Sequence, residues 1–395
     1  MPDILYKRDI VDQIIPFLGT NNIVVLHGAR QVGKTHILYL LQNYLKSQNA
    51  STHYIDLEDS RYVDLLNQGV DPFLAYLKSV GLGLDQDSKH YIFIDEIQHL
   101  SQPSPLLKLI VDHHPYLQLI VSGSSSFDIK SKFSDSLVGR TVNFEIFPLS
   151  FNEFLRFKQV NPITPVDTSY REYLSYGGYP KIVLTDDLVL KEKYLQQIID
   201  TYVKKDIFDL AKVTEPIKFN NLIKVLASSS GQLLNMVQLG NTCDLSTSTV
   251  RHYLHILEST YVIKLVTPHS QSAKVEVSRT PKIFFYDTGL LQMLMIKKLQ
   301  TENIGNIFET SIFSELVKKY GVTHINYWRN KNGNEIDFIL QTNTGILPIE
   351  VKYNFNLFSP GKITPFLQKY QLSQYKVIGL RGTKSSPNFF YPWEI

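Results

Sequence analysis

The sequence of 395 residues contains one cysteine, Cys243. A single thiol excludes a disulfide within the chain and any zinc site built from several thiolates. No apolar run reaches membrane-spanning length, and charges stand near the first residue where a secretion signal needs an apolar stretch. We therefore expect a cytoplasmic protein with no membrane partner.

The sequence also lacks a strong charge imbalance. Its 40 Lys and Arg against 37 Asp and Glu leave a formal charge of +3, which permits a nucleic-acid partner without indicating one. There is no low-complexity tract, and 43% of the residues are hydrophobic, as in a folded globular protein. The length predicts roughly two to four domains.

Over residues 1–150, short β-branched runs alternate with stretches of helical periodicity. The strand-like runs are Ile23–His27, His53–Leu57, Tyr91–Ile94 and Leu117–Val121, with a helix from Thr35. This alternation predicts an α/β core, a parallel sheet flanked by helices. The next residues, 151–212, read as amphipathic helices broken at Gly177-Gly178-Tyr179-Pro180, which we interpret as a helical lid.

Two further domains are predicted after the lid. Residues 213–278 hold three helical stretches and then the extended run Val262–Thr267, a pattern that suggests a winged helix. The third helix begins after Ser246 as its N-cap and places Val250, Tyr253 and Leu257 on one face. Residues 279–395, with a helix around Glu309 and two strand-like runs, read as a separate small α/β domain.

A phosphate-binding loop follows the first strand. Its residues are Gly28, Ala29, Arg30, Gln31, Val32, Gly33, Lys34 and Thr35. They match the Walker A pattern at every fixed position, between a buried-type strand and an apolar-periodic helix. Glycines let backbone N–H groups wrap the phosphates, Lys34 reaches the β and γ phosphates, and the Thr35 hydroxyl ligates Mg²⁺. The alternative, a glycine-rich structural turn, lacks this context.

Two later strand ends supply polar groups to the same edge of the sheet. The strand Tyr91–Ile94 ends in Asp95 and Glu96, a Walker B pattern in which Asp95 holds the Mg²⁺ shell and Glu96 activates water. The strand Leu117–Val121 is followed by Ser122-Gly123-Ser124-Ser125-Ser126, so Ser122 or Ser124 is either a γ-phosphate sensor or part of a turn. Arg140 is either an arginine finger for a neighbouring subunit of a homo-oligomer or a surface arginine, and the surface arginine is favoured.

These motifs resemble the AAA-type ATP-binding proteins of archaea and bacteria that carry a C-terminal domain of unknown function. The resemblance extends over nearly the whole chain. It rests on the Walker segments, Gly-Gly-Tyr-Pro, Tyr202-Val203-Lys204-Lys205-Asp206-Ile207, Phe285-Tyr286-Asp287-Thr288-Gly289 and Trp328-Arg329. It implies a P-loop ATPase joined to a winged helix and a nuclease-like fold, with ATP and Mg²⁺ as cofactors. It also implies that Gly178 and Pro180 of the lid pack near the adenine.

Glu309, Asp337, Glu350 and Lys352 resemble the core of PD-(D/E)XK nucleases. A hairpin turning at Asn343-Thr344 would make Asp337 face Glu350 and Glu335 face Lys352. The opposite, apolar face would hold Ile336, Phe338, Leu340, Leu347, Ile349 and Val351. Opposed carboxylates need a cation between them, so Glu309, Asp337 and Glu350 are candidate Mg²⁺ ligands and Lys352 a stabiliser of phosphate charge. The alternative is a solvated hairpin face with a slipped register and a Glu335–Lys352 ion pair.

On the expected recognition helix, Ser248, Thr249, Arg251 and His252 lie away from the apolar stripe and face either a DNA groove or a protein partner. His252 with His255, and His113 with His114, lack a third metal ligand and read as ordinary histidines. The favoured hypothesis is an ATPase with catalytic Lys34 and Glu96 that acts on DNA and cleaves it at Asp337, Glu350 and Lys352. The alternative is a slow ATP/ADP switch whose later domains only bind a partner.

Overall fold

The computed structural model describes residues 5–84, 87–123, 137–161, 163–270, 280–300 and 305–395. The chain divides into two compact units, Met1–Phe147 and Pro148–Ile395. The division of the second unit into lid, winged helix and nuclease-like domain stays a prediction. None of the helices in the described ranges combines the length and apolarity that crossing a bilayer requires.

The first unit contains alternating strands and helices. In chain order these are α1 (Asp9–Ile14), β1 (Ile23–Gly28), α2 (Lys34–Ser47), β2 (Ser51–Asp56), α3 (Ser60–Asn67), α4 (Val70–Ser79), β3 (His90–Asp95), α5 (Pro103–His113), β4 (Leu117–Gly123) and β5 (Thr141–Ile146). The strands form one parallel sheet in the order β2-β3-β4-β1-β5. The predicted parallel sheet is therefore confirmed.

Strands β1 and β4 are buried at every position, as in parallel strands covered on both faces. Ile23 and Val25 of β1 join a core cluster that includes Phe73 of α4 and Ile110 of α5. The sequence pattern does not predict β5, because this strand lies at the edge of the sheet and only Phe144 and Ile146 are buried in it. Its alternating pattern is weaker than the continuous apolar runs of the central strands.

The second unit begins with helices and ends with a sheet. Its first helices are α6 (Phe151–Phe157), α7 (Val166–Tyr176), α8 (Pro180–Val183), α9 (Leu188–Ile198), a π-helical stretch Ile199–Asp206, and α10 (Ile207–Ala211). Then come α11 (Pro216–Ser228), α12 (Met236–Cys243), α13 (Thr247–Ser259), β6 (Ile263–Val266), β7 (Lys282–Phe285), α14 (Thr288–Ile296) and α15 (Gly305–Tyr320). The last elements are β8 (Ile325–Arg329), β9 (Glu335–Thr342), β10 (Gly345–Asn354), α16 (Pro360–Tyr370), β11 (Lys376–Arg381) and β12 (Phe389–Phe390).

Helix α13 and strand β6 agree with the sequence prediction. The Ser246 hydroxyl accepts the Thr249 N–H at 3.1 Å, so Ser246 is the N-cap of α13. Val250, Tyr253 and Leu257 are buried on one face of this helix. Strands β6 and β7 pair antiparallel, with Ile263 opposite Phe285. Three helices and β6 therefore lie within residues 213–278, where the winged helix is expected, whereas β7 lies beyond that range.

The final strands form a mixed sheet in the order β12-β11-β10-β9-β8. The hairpin of β9 and β10 turns at the predicted position, because Thr342 pairs with Gly345 and the ladder runs on to Phe338 and Ile349. The predicted pairs of Asp337 with Glu350 and of Glu335 with Lys352 lie beyond this regular ladder.

The pairing of β9 with β8 contains a register shift that changes which side chains of β9 share a face. Asn326 pairs with Ile339, but Trp328 pairs with Ile336, so β9 has one more residue than β8 between these pairs. Such a shift re-aims side chains. Ile336 and Ile339 consequently share a core cluster with Phe366 of α16, whereas the Phe338 ring packs against Phe313 of α15. The prediction that Ile336 and Phe338 lie on the same face is wrong for this reason.

Candidate functional site

The strand order gathers the predicted nucleotide site at one edge of the first sheet. Strand β4 lies between β1, which leads into the loop 28–35, and β3, which ends at Asp95. Because parallel strands present their carboxyl ends together, Ser122 at the end of β4 lies between the two motifs. The sequence predicted this convergence of three strand ends.

Two glycines shape the loop for different reasons. A Cβ on Gly28 would lie 2.1 Å from the Ile146 carbonyl oxygen of β5, so the close approach of neighbouring backbone requires glycine. Gly33 has a φ of 95°, in the left-handed region, and is the N-cap of α2. Since glycine has no side chain to cap the first-turn N–H groups, the start of α2 is suited to binding an anion.

Lys34 is buried at the base of the loop. Its ammonium donates hydrogen bonds to the carbonyl oxygens of Gly28 at 3.1 Å and Ala29 at 2.8 Å. Burial lowers the pKa of Lys34 to about 8, although the negative charges of Glu96 and Asp95 oppose this shift. The loop therefore holds a cation close to its own carbonyl groups and close to both carboxylates.

Asp95 is the centre of a hydroxyl network. It accepts hydrogen bonds from the Thr35 hydroxyl at 2.6 Å, from the Tyr54 hydroxyl at 2.8 Å and from the Ser122 hydroxyl. The Thr35 and Asp95 oxygens are adjacent hard donors, the type that Mg²⁺ prefers, and they fit a magnesium ion bound jointly with a nucleotide phosphate. Ser122 is oriented by Asp95, which is compatible with the predicted phosphate sensor.

Glu96 follows Asp95 in a constrained backbone conformation. Its φ of 56° lies in the left-handed region, and its N–H points at the Ser122 hydroxyl, 3.3 Å away. Its side chain accepts a hydrogen bond from the Gln98 amide. Left-handed non-glycine residues are uncommon and often mark functional positions. The geometry thus separates Glu96 from Asp95 and gives the two carboxylates different partners.

Two residues of this site escaped the sequence analysis. Buried Arg8 donates to the carbonyl oxygens of Val32 at 2.8 Å and Phe147 at 2.9 Å, and so supports the loop from outside the motif. Tyr54 of β2 bonds to Asp95, and burial raises the pKa of its hydroxyl. No motif marks either residue. The only signal for Tyr54 was its place on a strand next to β3.

Three other predicted residues have different outcomes. Arg140 forms an ion pair with Asp112 at 2.6 Å, in agreement with the favoured surface arginine. Ser124, with Ser125 and Ser126, lies outside the described residues. Pro180 opens α8, and its predicted place near the adenine stays a prediction.

The Gly177-Gly178 break has a structural explanation within the second unit. The buried Asp287 carboxylate accepts the Gly178 N–H at 2.7 Å and the Leu290 N–H of α14 at 2.8 Å. A Cβ on Gly177 would lie 2.3 Å from the same carboxylate. These glycines therefore let the chain approach the start of α14, which is a packing role.

The second predicted site becomes a cluster of two lysines and four carboxylates, here called the carboxylate–lysine cluster. Its members are Lys282, Lys352, Glu309, Glu335, Asp337 and Glu350. Lys352 contacts Asp337 at 3.2 Å and Glu350 at 2.6 Å, so the alternative Glu335–Lys352 pair is wrong. The sequence analysis missed Lys282, which comes from β7.

The arrangement of this cluster does not fit a magnesium ion at the predicted ligands. Glu309 and Asp337 both face the Lys282 ammonium, whereas Glu350 faces Lys352. Within the described ranges, no three His, Cys, Asp or Glu side chains are grouped so as to hold a metal ion. Burial raises the pKa of Glu309 and of Glu350.

The candidate recognition helix presents a mostly neutral polar face. Ser248, Arg251 and His252 are exposed on α13, and Thr249 is half-buried. His252 contacts the Ala211 carbonyl oxygen at 3.2 Å, and His114 contacts the Tyr116 hydroxyl at 2.9 Å. These partners agree with ordinary histidines.

Comparisons with known proteins agree with the geometry of the first site. The family model described as an AAA domain matches residues 20–155. Two models, each described as a domain of unknown function, match residues 167–302 and 304–387. An uncharacterized protein of Haemophilus influenzae is 29% identical over 358 residues, which is 88% of this chain and 86% of that protein. An uncharacterized protein of Methanocaldococcus jannaschii is 29% identical over 365 residues, 89% of this chain and 78% of its own length.

A solved structure has a similar fold. The Walker-type ATPase of Pyrococcus abyssi matches with a TM-score of 0.51 and 16% identity, over 74% of this chain and 96% of that chain. At this identity the likeness shows the fold alone. The N-terminal part of the chain is thus an α/β domain similar to AAA-type P-loop ATPases.

Proposed function

We propose that the first unit binds and hydrolyses ATP at the loop 28–35. The observation that carries this proposal is the contact of the Thr35 hydroxyl with Asp95, 2.6 Å apart, beside a buried lysine and an uncapped helix start. A triphosphate at this edge would meet the N–H groups at the start of α2 and the Lys34 ammonium. The match of residues 20–155 to an AAA domain supports the same function.

Thr35 and Asp95 would hold Mg²⁺, which when bound neutralises charge on the β and γ phosphates. Glu96 accepts a proton from the attacking water, since it is the carboxylate of the pair whose oxygens do not bond to Thr35, Tyr54 or Ser122. Ser122, which donates to Asp95 at the end of β4, would contact the γ-phosphate of a bound ATP. The products are ADP and inorganic phosphate.

ATP turnover by purified protein tests this function. Lys34→Ala should lower the rate at least about 100-fold, because the lysine stabilises charge that develops on the phosphates. Lys46→Ala is the matched control, since Lys46 is an exposed lysine on the same helix. Equal turnover in the wild type and the Lys34 variant would remove the assignment.

For the second unit we propose nucleic-acid binding regulated by the nucleotide state of the first. Support comes from α11, α12 and α13 followed by β6, which pairs antiparallel with β7 just after residue 278; three helices and a strand pair are the element order of a winged helix. On this proposal, residues 151–212 are a lid, 213–278 a winged helix and 279–395 a PD-(D/E)XK-like domain. In that last domain α15 carries Glu309 and the β9–β10 hairpin carries Asp337, Glu350 and Lys352.

The carboxylates that metal-dependent cleavage of the nucleic acid would need are engaged by Lys282 and Lys352. The second unit is therefore assigned binding alone. Fluorescence anisotropy with duplex and single-stranded DNA, with ATP and with ADP, tests it, and no binding in either state would contradict it.

A further inference from the structure

Lys282 brings a positive charge into the middle of the carboxylate–lysine cluster. Its side chain is only 3% exposed, and its Nζ lies 2.7 Å from Glu335 Oε1 and 3.2 Å from Glu309 Oε1. Asp337 Oδ1 is 3.9 Å away, and the ring centroid of Tyr327 is 5.8 Å away. The Lys282 ammonium of β7 therefore faces carboxylates from two other elements, β9 and α15.

The backbone around Lys282 fixes this position. On one side Lys282 pairs with Val266 of β6, and on the other it bridges to Leu233. The neighbouring Ile283 carbonyl accepts the Gly231 N–H at 2.7 Å. Gly231 has a φ of 81°, and a Cβ there would lie 3.1 Å from Glu309 Oε2. The segment before α12 thus holds β7 in place and leaves room for the Glu309 carboxylate.

Lys352 is the second cation, and Asp337 lies between the two. Asp337 Oδ1 faces Lys282, whereas Oδ2 accepts from the Lys352 ammonium at 3.2 Å and from the Val351 N–H at 2.8 Å. Buried Glu350 bonds to Lys352 through Oε2, but its Oε1 has no hydrogen-bond partner among the described residues. The cluster therefore retains one unsatisfied carboxylate oxygen, which is costly in a buried site.

A divalent cation and the Lys282 ammonium compete for one volume. Mg²⁺ needs oxygens at about 2.0–2.1 Å in octahedral geometry, so an ion shared by Glu309 and Asp337 would stand where Lys282 Nζ now lies. Two cations a few ångströms apart repel strongly in a buried site. The lysine supplies positive charge without needing the octahedral set of oxygen ligands that Mg²⁺ needs, and it occupies the position of the metal.

We propose that Lys282 is a built-in counter-ion that excludes divalent metal from Glu309 and Asp337, and that loss of its charge opens a divalent-cation site there. The lysine is the ion-pair partner of Glu309 and shares Asp337 with Lys352, so its loss leaves a buried negative charge without compensation. The β6–β7 pair therefore keeps this part of the nuclease-like fold free of metal. This inference does not depend on ATP hydrolysis in the first unit.

Mn²⁺ titration of nucleotide-free protein, followed by the electron paramagnetic resonance of free Mn²⁺, tests the inference. All variants carry Thr35→Val to weaken metal binding at the loop 28–35. With Lys282 present, we expect no Mn²⁺ binding that depends on Asp337. Lys282→Met should bind one additional Mn²⁺ ion, at least about 100-fold more tightly than the same position binds it when Lys282 is present. The reason is that a unit positive charge a few ångströms from the ion is removed.

Three controls make the result specific. Adding Asp337→Asn to Lys282→Met should abolish the gained site, and Lys282→Arg should gain none because it keeps the charge. Lys318→Met should also gain none, since this lysine, whose side chain is 9% exposed, forms an ion pair with Glu315 alone among the described carboxylates. Circular dichroism monitors folding of every variant.

Either of two results would overturn the inference. The first is that the protein with Lys282 binds Mn²⁺ and that Asp337→Asn abolishes this binding. This comparison is decisive even when the Lys282→Met variant does not fold. The other is a folded Lys282→Met variant with no added site.

Discussion

The Thr35 hydroxyl donates a hydrogen bond to Asp95 Oδ2 over 2.6 Å, although 60 residues separate them in the sequence. This contact joins the loop after β1 to the end of β3. Because β4 lies between those strands, the contact also brings Ser122 against Asp95. Thr35, Tyr54 and Ser122 thus share Asp95 as their common hydrogen-bond acceptor.

Thr35→Val should reduce Mg²⁺-dependent ATP turnover by about 100-fold, because the hydroxyl that ligates the metal is lost at nearly constant volume. Thr35→Ser keeps a hydroxyl at the same position and should stay within several-fold of the wild type. Steady-state phosphate release at saturating Mg²⁺ measures both. Similar rates for Val and Ser would show that the hydroxyl has no catalytic part.

Glu96→Gln should lower turnover by about 10²–10⁴-fold while ATP binding is retained, since the amide cannot accept the proton of the attacking water. Glu58→Gln, at an exposed glutamate after β2, is the control. Single-turnover hydrolysis and binding of a fluorescent ATP analogue separate the two effects. Unchanged turnover would favour a slow nucleotide switch in which Glu96 takes no part.

Gly28→Ala should lower the free energy of unfolding by about 3 kcal/mol, because its Cβ would be 2.1 Å from the Ile146 carbonyl oxygen and the strands would have to separate. Gly83→Ala is the matched control, as nothing lies within 4 Å of a Cβ there. That variant should change stability by less than about 0.5 kcal/mol. Urea unfolding followed by circular dichroism compares them, and equal midpoints would contradict the expected clash.

Asp287→Ala should destabilise the protein by about 3 kcal/mol. It removes the N-cap of α14, worth about 1 kcal/mol, and leaves the buried Gly178 N–H without its acceptor. Asp187→Ala removes an exposed cap of α9 and should cost only about 1 kcal/mol. Thermal and urea unfolding measure both variants. A smaller loss for Asp287 than for Asp187 would refute the importance of the Gly178 contact.

Arg251→Ala should weaken DNA binding and reduce the slope of log affinity against log salt by about 1, as expected when one phosphate contact is lost. Arg251 is exposed on α13. Lys193→Ala, at an exposed lysine of α9, is the control because it also removes one positive charge. It should leave the slope unchanged. Anisotropy titrations at several salt concentrations measure it. An unchanged slope for Arg251→Ala would indicate that this helix face binds a different partner.

The sequence alone determined the parts of the protein that depend on local spacing. The loop 28–35 and the pair Asp95-Glu96 were identified because each motif is continuous in the chain and stands beside a recognisable strand. The turn of the β9–β10 hairpin was predicted for the same reason, since the two strands are neighbours in sequence.

Only the tertiary structure decided which distant residues meet. Packing and strand order place Arg8 and Tyr54 at the first site. Lys282 of β7 lies in the carboxylate–lysine cluster although β7 pairs with β6 and not with β9 or β10. The extra residue in β9 re-aimed its side chains, which no regular alternation predicts. Motifs record spacing along one segment, whereas the charge that balances buried carboxylates is supplied by whichever segment the fold places beside them.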